Sequence, residues 1–177
     1  MSEQLIPKIL KSRLLFFWIS SFMLASILYY ILWLLVPYHH VFGALYRMFL
    51  YHHAFPLQYI MIPCFFYGIL ATLLTNSFRN KNTIRRIFLT IIICVLTTLL
   101  SSPFGGMLWH FHDMQAGYFP ENWMSILIEK GFLWGIEIGW FIILLSIPYN
   151  IICAVGCYFL TKKGVELYSE TKIDTMV

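Results

Sequence analysis

Residues 14–36 read LLFFWISSFMLASILYYILWLLV, an apolar run that holds no charged residue and stops at Pro37. About 20 consecutive apolar residues are enough for a helix to cross the hydrocarbon core of a bilayer, whereas apolar runs of roughly 10–14 residues are more typical of buried helices in soluble domains. The run therefore predicts a membrane-spanning helix near the start of the sequence.

The composition of the whole chain points the same way. Of 177 residues, 60% are hydrophobic and only 11% are charged, and the mean hydropathy is +0.75. A soluble domain carries about 25% charged residues, and a soluble fold with this composition would expose apolar surface and aggregate. These values exclude a soluble globule, a coiled coil and a disordered chain. They predict an all-α integral membrane protein. The sequence has no basic stripe with interleaved aromatic residues, so contact with nucleic acid is not expected.

Three further stretches qualify as spans, about 57–76, 87–104 and 132–160, so the sequence predicts one domain, 1–177, of four transmembrane helices. The motif SSPFGG at 101–106 is expected to end the third helix. The fourth stretch is longer than a core of about 30 Å requires, and Pro148 predicts a kink in it.

The basic residues predict the orientation. Of the twelve Lys and Arg, ten flank the spans on one side, and only Arg47 and Lys130 lie on the other. Cytoplasmic loops carry the excess of positive charge, so both termini are expected in the cytoplasm of a multi-pass plasma membrane protein. The ten residues are Lys8, Lys11, Arg13, Arg79, Lys81, Arg85, Arg86, Lys162, Lys163 and Lys172. The four between the second and third spans are candidates for contact with anionic lipid or a cytoplasmic partner.

The two external loops, 37–56 and 105–131, are unusually apolar and aromatic. Each predicts an interfacial helix lying among the lipid headgroups. In the second loop Pro120 and Glu121 suit the start of a helix, and Gly131 suits a C-terminal cap.

All six histidines fall in these loops, and Asp113 directly follows the last of them. His110 and His112 share a face if their segment is extended, so with Asp113 they form a candidate metal site. A pH sensor and ordinary interfacial packing are the alternatives, since histidine titrates near neutral pH and is also amphipathic. The other four are His39, His40, His52 and His53.

Glu137 is the one carboxylate inside a predicted span. An ionisable residue in a span is a functional hypothesis by default, and a hydrogen bond or ion pair, an ion pathway and catalysis all remain open for it. Its candidate partners are Arg47, Lys130 and the histidines. Gly135 and Gly139 flank it as a G-x-x-x-G pair, which favours close helix packing.

The four cysteines, Cys64, Cys94, Cys153 and Cys157, all lie in predicted spans and form no C-x-x-C motif. They are expected to be reduced packing thiols. No P-loop, G-x-S-x-G or G-x-G-x-x-G motif occurs, so neither a cofactor nor an enzymatic activity is expected.

Three functions follow from these features. The first is a non-enzymatic sensor or scaffold subunit that recruits a cytoplasmic partner. The second is an oligomeric channel for ions or small solutes that uses Glu137. The third is a membrane enzyme with an external metal site at His110, His112 and Asp113.

The plan of four short-looped spans, cytoplasmic termini and no soluble domain resembles small membrane subunits of bacterial antiphage systems, such as KwaA, the membrane component of the Kiwa system. Membrane immunity proteins against pore-forming bacteriocins are similar in outline. The resemblance covers the whole chain at the level of topology. The likeness to the Kiwa component implies a homo-oligomer in the bacterial inner membrane that senses the envelope and works with a soluble effector.

Overall fold

The computed structural model describes residues 2–35, 54–78, 81–118, 123–145 and 147–170. All the secondary structure in these residues is helical. In chain order the elements are α1 (Ser2–Leu35), α2 (Pro56–Phe78), α3 (Thr83–Gln115), the single turn α4 (Trp123–Ile126), a π-helical turn (Leu127–Gly131), α5 (Phe132–Leu145) and α6 (Ile147–Glu170).

Three of these helices are long and apolar enough to cross a membrane. The spanning segments are Ser12–Leu35, Pro56–Phe78 and Thr83–Gln115. The prediction of an all-helical protein compatible with several membrane crossings is therefore confirmed, while a fourth span and the location of the termini stay predictions.

The outward faces of the helices are apolar. On α1, Ile19, Met23 and Ile27 recur every four residues and are each more than half exposed (56%, 55% and 53%). The opposite face of the same helix buries Phe17 and Ser21. A stripe of exposed aliphatic side chains would aggregate in water, whereas lipid tails accommodate it.

The interior, by contrast, is rich in small polar side chains, which form the majority of the buried polar residues in the described part of the chain. Most of these hydroxyls donate hydrogen bonds to backbone carbonyls of their own helix. Thr72 Oγ1 donates to Gly68 O at 2.6 Å and Thr161 Oγ1 donates to Cys157 O at 2.7 Å. Such bonds satisfy a hydroxyl where no water is present. The buried polar residues are Ser21, Thr72, Thr75, Thr90, Thr97, Ser101, Ser102, His112 and Thr161.

The helices form one bundle in which α2 packs between α1 and α3, α5 packs on α3, and α6 packs on α1. Hydrogen bonds attach α6 to both α1 and α2. The Tyr67 hydroxyl lies 2.9 Å from Thr161 Oγ1, and the Tyr149 hydroxyl donates to Ala25 O at 3.2 Å. The apolar cluster around Tyr67 contains Phe17, Ala71, Phe78 and Ile93.

The prediction that SSPFGG ends the third helix is wrong, because α3 continues through it to Gln115. Pro103 has no N–H to donate to Leu99 O. Ser102 Oγ donates to this carbonyl instead, at 3.0 Å. Pro is tolerated in a membrane helix where a neighbouring hydroxyl satisfies the freed carbonyl in this way.

The actual ends of α3 have ordinary capping chemistry. At the start, the side chain of Asn82 accepts a hydrogen bond from Arg85 N at 3.2 Å. At the end, Gly117 adopts a positive φ of 82°, and its N–H donates to Met114 O at 2.9 Å. Glycine adopts this left-handed conformation without steric cost and stops helices for that reason.

The helix α3 and the chain from Gly131 into α5 cross at very short range. A methyl group added to Gly106 would meet Gly131 O and lie 2.8 Å from Gly135 Cα. One added to Gly135 would meet Ser102 O and lie 2.6 Å from Pro103 Cα. Residues 102 and 106 are four apart on one helix, and residues 131 and 135 are four apart on the other. Two small-x-x-x-small pairs therefore pack against each other within one chain.

This crossing corrects one prediction. Gly131 does not cap an interfacial helix; the chain continues through it into α5, and the residue is buried against Met107. The predicted span 132–160 coincides with α5 and the first part of α6, which lie on either side of residue 146. A single fourth span with a kink at Pro148 stays a prediction. The interfacial helix predicted at 37–56 falls mainly outside the described residues.

Two adjacent glycines test the crossing. We expect Gly106→Ala to lower the free energy of unfolding by about 1–3 kcal/mol, because its methyl group has no space between the two backbones. Gly105→Ala is the matched control, since nothing lies within 4 Å of its added methyl group. The control is expected to be neutral or to raise stability by up to about 1 kcal/mol, because alanine favours helix more than glycine does. Thermal unfolding in detergent, followed by circular dichroism, measures both; equal values would contradict the close crossing.

Candidate functional site

The helical conformation of α3 separates the two histidines of the candidate metal site. Residues two apart on a helix point about 200° away from each other, so the prediction of an extended segment with a shared face is wrong. His110 faces α5, with its ring centroid 5.7 Å from that of Trp134, and its Nδ1–H donates to Gly106 O at 3.1 Å. His112 faces α2, where its Nε2–H donates to Gln58 Oε1 at 3.1 Å.

His112 joins the end of α3 to the start of α2. Its side chain is 3% exposed, and its ring stacks on Phe55 with the centroids 4.4 Å apart and the planes 2° from parallel. Tyr59 lies beside the ring at 5.9 Å. The stack and the bond to Gln58 are what an anchoring side chain requires, because its polar atoms are paired and its faces are covered.

Asp113 is half-buried next to His112. Within the described parts of the chain, no group of three His, Cys, Asp or Glu side chains is placed to hold a metal ion. His39, His40, His52 and His53 fall outside those parts. The metal site at His110, His112 and Asp113 was predicted from an extended segment, whereas this segment is helical. Metal binding itself stays a prediction.

Glu137 lies on the outer surface of α5. It is exposed, as are its neighbours Leu133 (52%) and Ile136 (50%), whereas Gly135 is buried against α3. Among the residues that the structure describes, no cation lies within ion-pair distance of the Glu137 carboxylate. The candidate partner Arg47 falls outside them. The position of Glu137 therefore gives it no role in the core of a single chain.

Gly135 of the predicted G-x-x-x-G pair makes a close helix contact, with α3 of the same chain. Gly131, four residues earlier, packs on the same helix. Gly139 lies in α5, but its surroundings are not among the described side chains, so its part in helix packing stays a prediction.

One end of the bundle is basic. The Arg13 guanidinium lies 5.0 Å above the ring of Tyr168 and donates from Nη2 to the Tyr168 carbonyl at 3.5 Å, which joins the start of α1 to the end of α6. The first turns of α3 adjoin this end and carry the predicted contact residues. The described cations here are Arg13, Lys81, Arg85, Arg86, Lys162 and Lys163, while Arg79 falls outside the described residues.

A cavity of about 480 Å³ lies in the middle of the bundle and is lined by α1, α2, α3, α5 and α6. This volume is within the range of about 300–1,000 Å³ that is typical of small-molecule sites. The helices enclose the cavity only in part, so molecules from the surroundings have access to it.

The cavity wall combines aliphatic side chains with hydroxyls and thiols. All four cysteines of the chain line it, with Cys94 on α3 and Cys157 on α6. All four are free. The described lining contains no Asp, Glu, Lys, Arg or His.

Sequence reasoning missed this cavity, although a signal for it is present. Thr90, Cys94, Thr97 and Ser101 recur along α3 at intervals of four, three and four residues. That spacing places them on one helix face among otherwise large aliphatic residues. Three of the four, Cys94, Thr97 and Ser101, line the cavity.

Comparison of the chain with protein-family models, with curated proteins and with solved structures finds no match. The assignment of a function therefore rests on the site geometry.

The two histidines of α3 are expected to differ in their contribution to stability. His112→Ala should lower the free energy of unfolding by about 2–4 kcal/mol, because it removes a buried ring and leaves the amide of Gln58 without its partner. His110→Ala should cost about 1 kcal/mol or less, since its ring is half-buried and its hydrogen bond stays within its own helix. Unfolding in detergent measures both. Equal losses, together with a stoichiometric metal in the native protein that both variants release, would instead support the metal site.

Proposed function

We propose that this protein is a non-enzymatic multi-pass membrane subunit, a sensor or scaffold that recruits a cytoplasmic partner through the basic end of its bundle. The observation that carries the proposal is the convergence of cationic side chains from three helices at that end. The opposite end carries the described charges Asp113, Glu129 and Lys130, so it has no such excess of positive charge.

The convergence is supported by packing as well as by sequence. One apolar cluster contains Phe17 and Phe78, with Leu89 and Val165 packed against it. Phe17 lies one turn after Arg13 in the middle of α1, Phe78 ends α2, Leu89 is near the start of α3 and Val165 is near the end of α6. The cations of these helices are therefore held on one rigid platform. A platform of this kind attracts acidic protein segments and anionic headgroups.

The same asymmetry supports cytoplasmic termini, because cytoplasmic segments carry the excess of Lys and Arg. We place the basic end in the cytoplasm and let α5 and α6 together form the fourth span. A bacterial inner membrane is the location that the resemblance in plan to antiphage membrane subunits implies.

A non-enzymatic role is supported by how the buried hydroxyls are used. Thr98, Ser101 and Ser102 each donate to a carbonyl of their own helix, at 3.0, 3.1 and 3.0 Å. These hydroxyls maintain helices and are not activated by a neighbouring base, which a nucleophile requires. The resemblance in plan to antiphage membrane subunits makes phage infection the first stimulus to test.

An oligomeric channel is the second candidate, and the exposure of Glu137 favours it. A carboxylate on the outer surface of an apolar helix is costly in lipid and is usually directed to a cavity or paired. Further copies of the chain around α5 would give Glu137 such an environment. The same face would then form the interface of the predicted homo-oligomer.

The basic end can be tested by crosslinking in cells. A photoreactive amino acid at Ile84, which is 77% exposed beside Arg85, is expected to capture one discrete soluble protein. The Lys81→Gln, Arg85→Gln double variant should reduce that product at least fivefold, because it removes two charges from the platform. Lys130→Gln, at the opposite end, is the matched control and should leave the product unchanged.

A crosslinked product that is undiminished in the double variant would contradict recruitment by charge. Capture of lipid alone at Ile84 would show that the platform contacts the membrane surface and would contradict a protein partner. Fluorescence of a reporter fused to the C-terminus, measured in the same strains, confirms that neutralisation has not changed the topology.

The channel is tested separately at Glu137. If several copies line a pore with this residue, Glu137→Gln should lower the cation conductance of proteoliposomes at least fivefold, since the charge that attracts cations is lost. Glu129→Gln is the control for a carboxylate outside the span. Unchanged conductance, with the same oligomer size on native mass spectrometry, would remove the channel candidate.

A further inference from the structure

The central cavity is distinct from both ends of the bundle and independent of the proposed recruitment. It lies among the spanning helices, and its walls come from residues far apart in sequence, such as Leu24, Ile60, Val95, Ile138 and Ala154. A site at this depth is reached from within the bilayer, so its occupant must be soluble in lipid. The occupant therefore has a mainly apolar body.

The absence of charged side chains from the described lining limits the occupant further. An ionised group against this described lining would meet no side chain of opposite charge, and its desolvation would be costly. Phospholipid headgroups and fatty-acid carboxylates are disfavoured for this reason. The occupant is uncharged.

One polar atom in the cavity wall indicates which polar group the bound molecule carries. Thr97 is only 7% exposed, it lines the cavity, and its Oγ1 has no hydrogen-bond partner within the described residues. The neighbouring Thr98 and Ser101 hydroxyls, by contrast, donate to carbonyls of α3. A buried hydroxyl without a partner costs free energy that a ligand oxygen would recover.

We propose that the cavity binds an uncharged lipid with a carbonyl oxygen, and that the Thr97 hydroxyl donates a hydrogen bond to this oxygen. The aliphatic wall holds the hydrocarbon body, and Thr97 fixes the position of the polar group. This division between many apolar contacts and few polar contacts is general in small-molecule sites.

The probe is a diacylglycerol with a photoreactive diazirine in one acyl chain, added to the full-length protein in nanodiscs. Its labelling is expected on cavity-lining residues of α2, α3 and α6. Ala154→Phe fills the cavity and should reduce labelling at least fivefold. The matched control is Val155→Phe on the same helix, because Val155 is 53% exposed and faces away from the bundle; it should change labelling less than twofold.

The polar contact has its own variant. Thr97→Val keeps the shape of the side chain and removes the hydroxyl, so it should weaken diacylglycerol binding about fivefold, as expected for the loss of one hydrogen bond. A photoreactive alkane without oxygen should bind both proteins alike. Equal binding of diacylglycerol to Thr97→Val and to the native protein would overturn the carbonyl assignment.

The native cysteines provide a measurement that needs no variant. Because all four line the cavity, diacylglycerol in the nanodisc should slow their alkylation by N-ethylmaleimide at least fivefold, whereas phosphatidic acid at the same content should not. Alkylation that neither lipid slows would overturn the proposal. So would equal protection by both, since that result would mean that a charged headgroup is accepted.

Discussion

The close crossing of α3 and α5 is the constraint on which much of the bundle depends. Gly131 and Gly135 present bare backbone to Ser102 and Gly106. A methyl group at Gly106 or Gly135 would overlap the facing backbone, and one at Gly131 would lie 3.1 Å from Met107 Cα. Lipid tails are as apolar as leucine, so helices in a membrane associate through close van der Waals packing and not through burial of apolar surface. Short-range contact between two backbones is the strongest form of such packing that a single chain can make.

Several other features follow from this crossing. The helix α3 has to continue past Pro103 to reach Gly106. The hydrogen bond from Ser102 to Leu99 O stabilises the helix at this point, because Pro103 cannot donate to that carbonyl. With Gly135 turned towards α3, Glu137, two residues further on, is turned away from the bundle. The central cavity lies between this crossing and the contacts of α6 with α1 and α2.

The bundle places its polar groups in the interior and its aliphatic groups on the outside. This arrangement is stable because each buried hydroxyl of the serine and threonine set, apart from Thr97, has a hydrogen-bond partner in its own helix or in a neighbouring one. Small side chains of this kind allow helices to approach closely and cost little side-chain entropy. Among these buried serine and threonine residues of the described chain, Thr97 is the one whose hydroxyl has no such partner.

The sequence predicts the helices well and their ends less well. The second span was expected at about 57–76 and is observed as Pro56–Phe78, because hydropathy alone determines where such a helix lies. The predicted end of α3 was wrong because Pro and Gly ordinarily stop helices. The Ser102 hydroxyl satisfies the carbonyl that Pro103 frees, and the fit of Gly106 against α5 is a tertiary contact that sequence patterns do not show. The prediction that His110 and His112 share a face was wrong for the same reason, because it required α3 to end before them.

The cavity and the basic end share a structural element. Tyr67 lines the cavity, and its hydroxyl lies 2.9 Å from Thr161 Oγ1, directly before Lys162 and Lys163. A molecule in the cavity can change the position of these lysines only if it binds two arrangements of α6 with different affinities. Tyr67 is the side chain through which such a difference would act, because it contacts both the cavity and the helix that carries the lysines. A sensor that responds to its lipid environment and reports to the cytoplasm requires a connection of this kind.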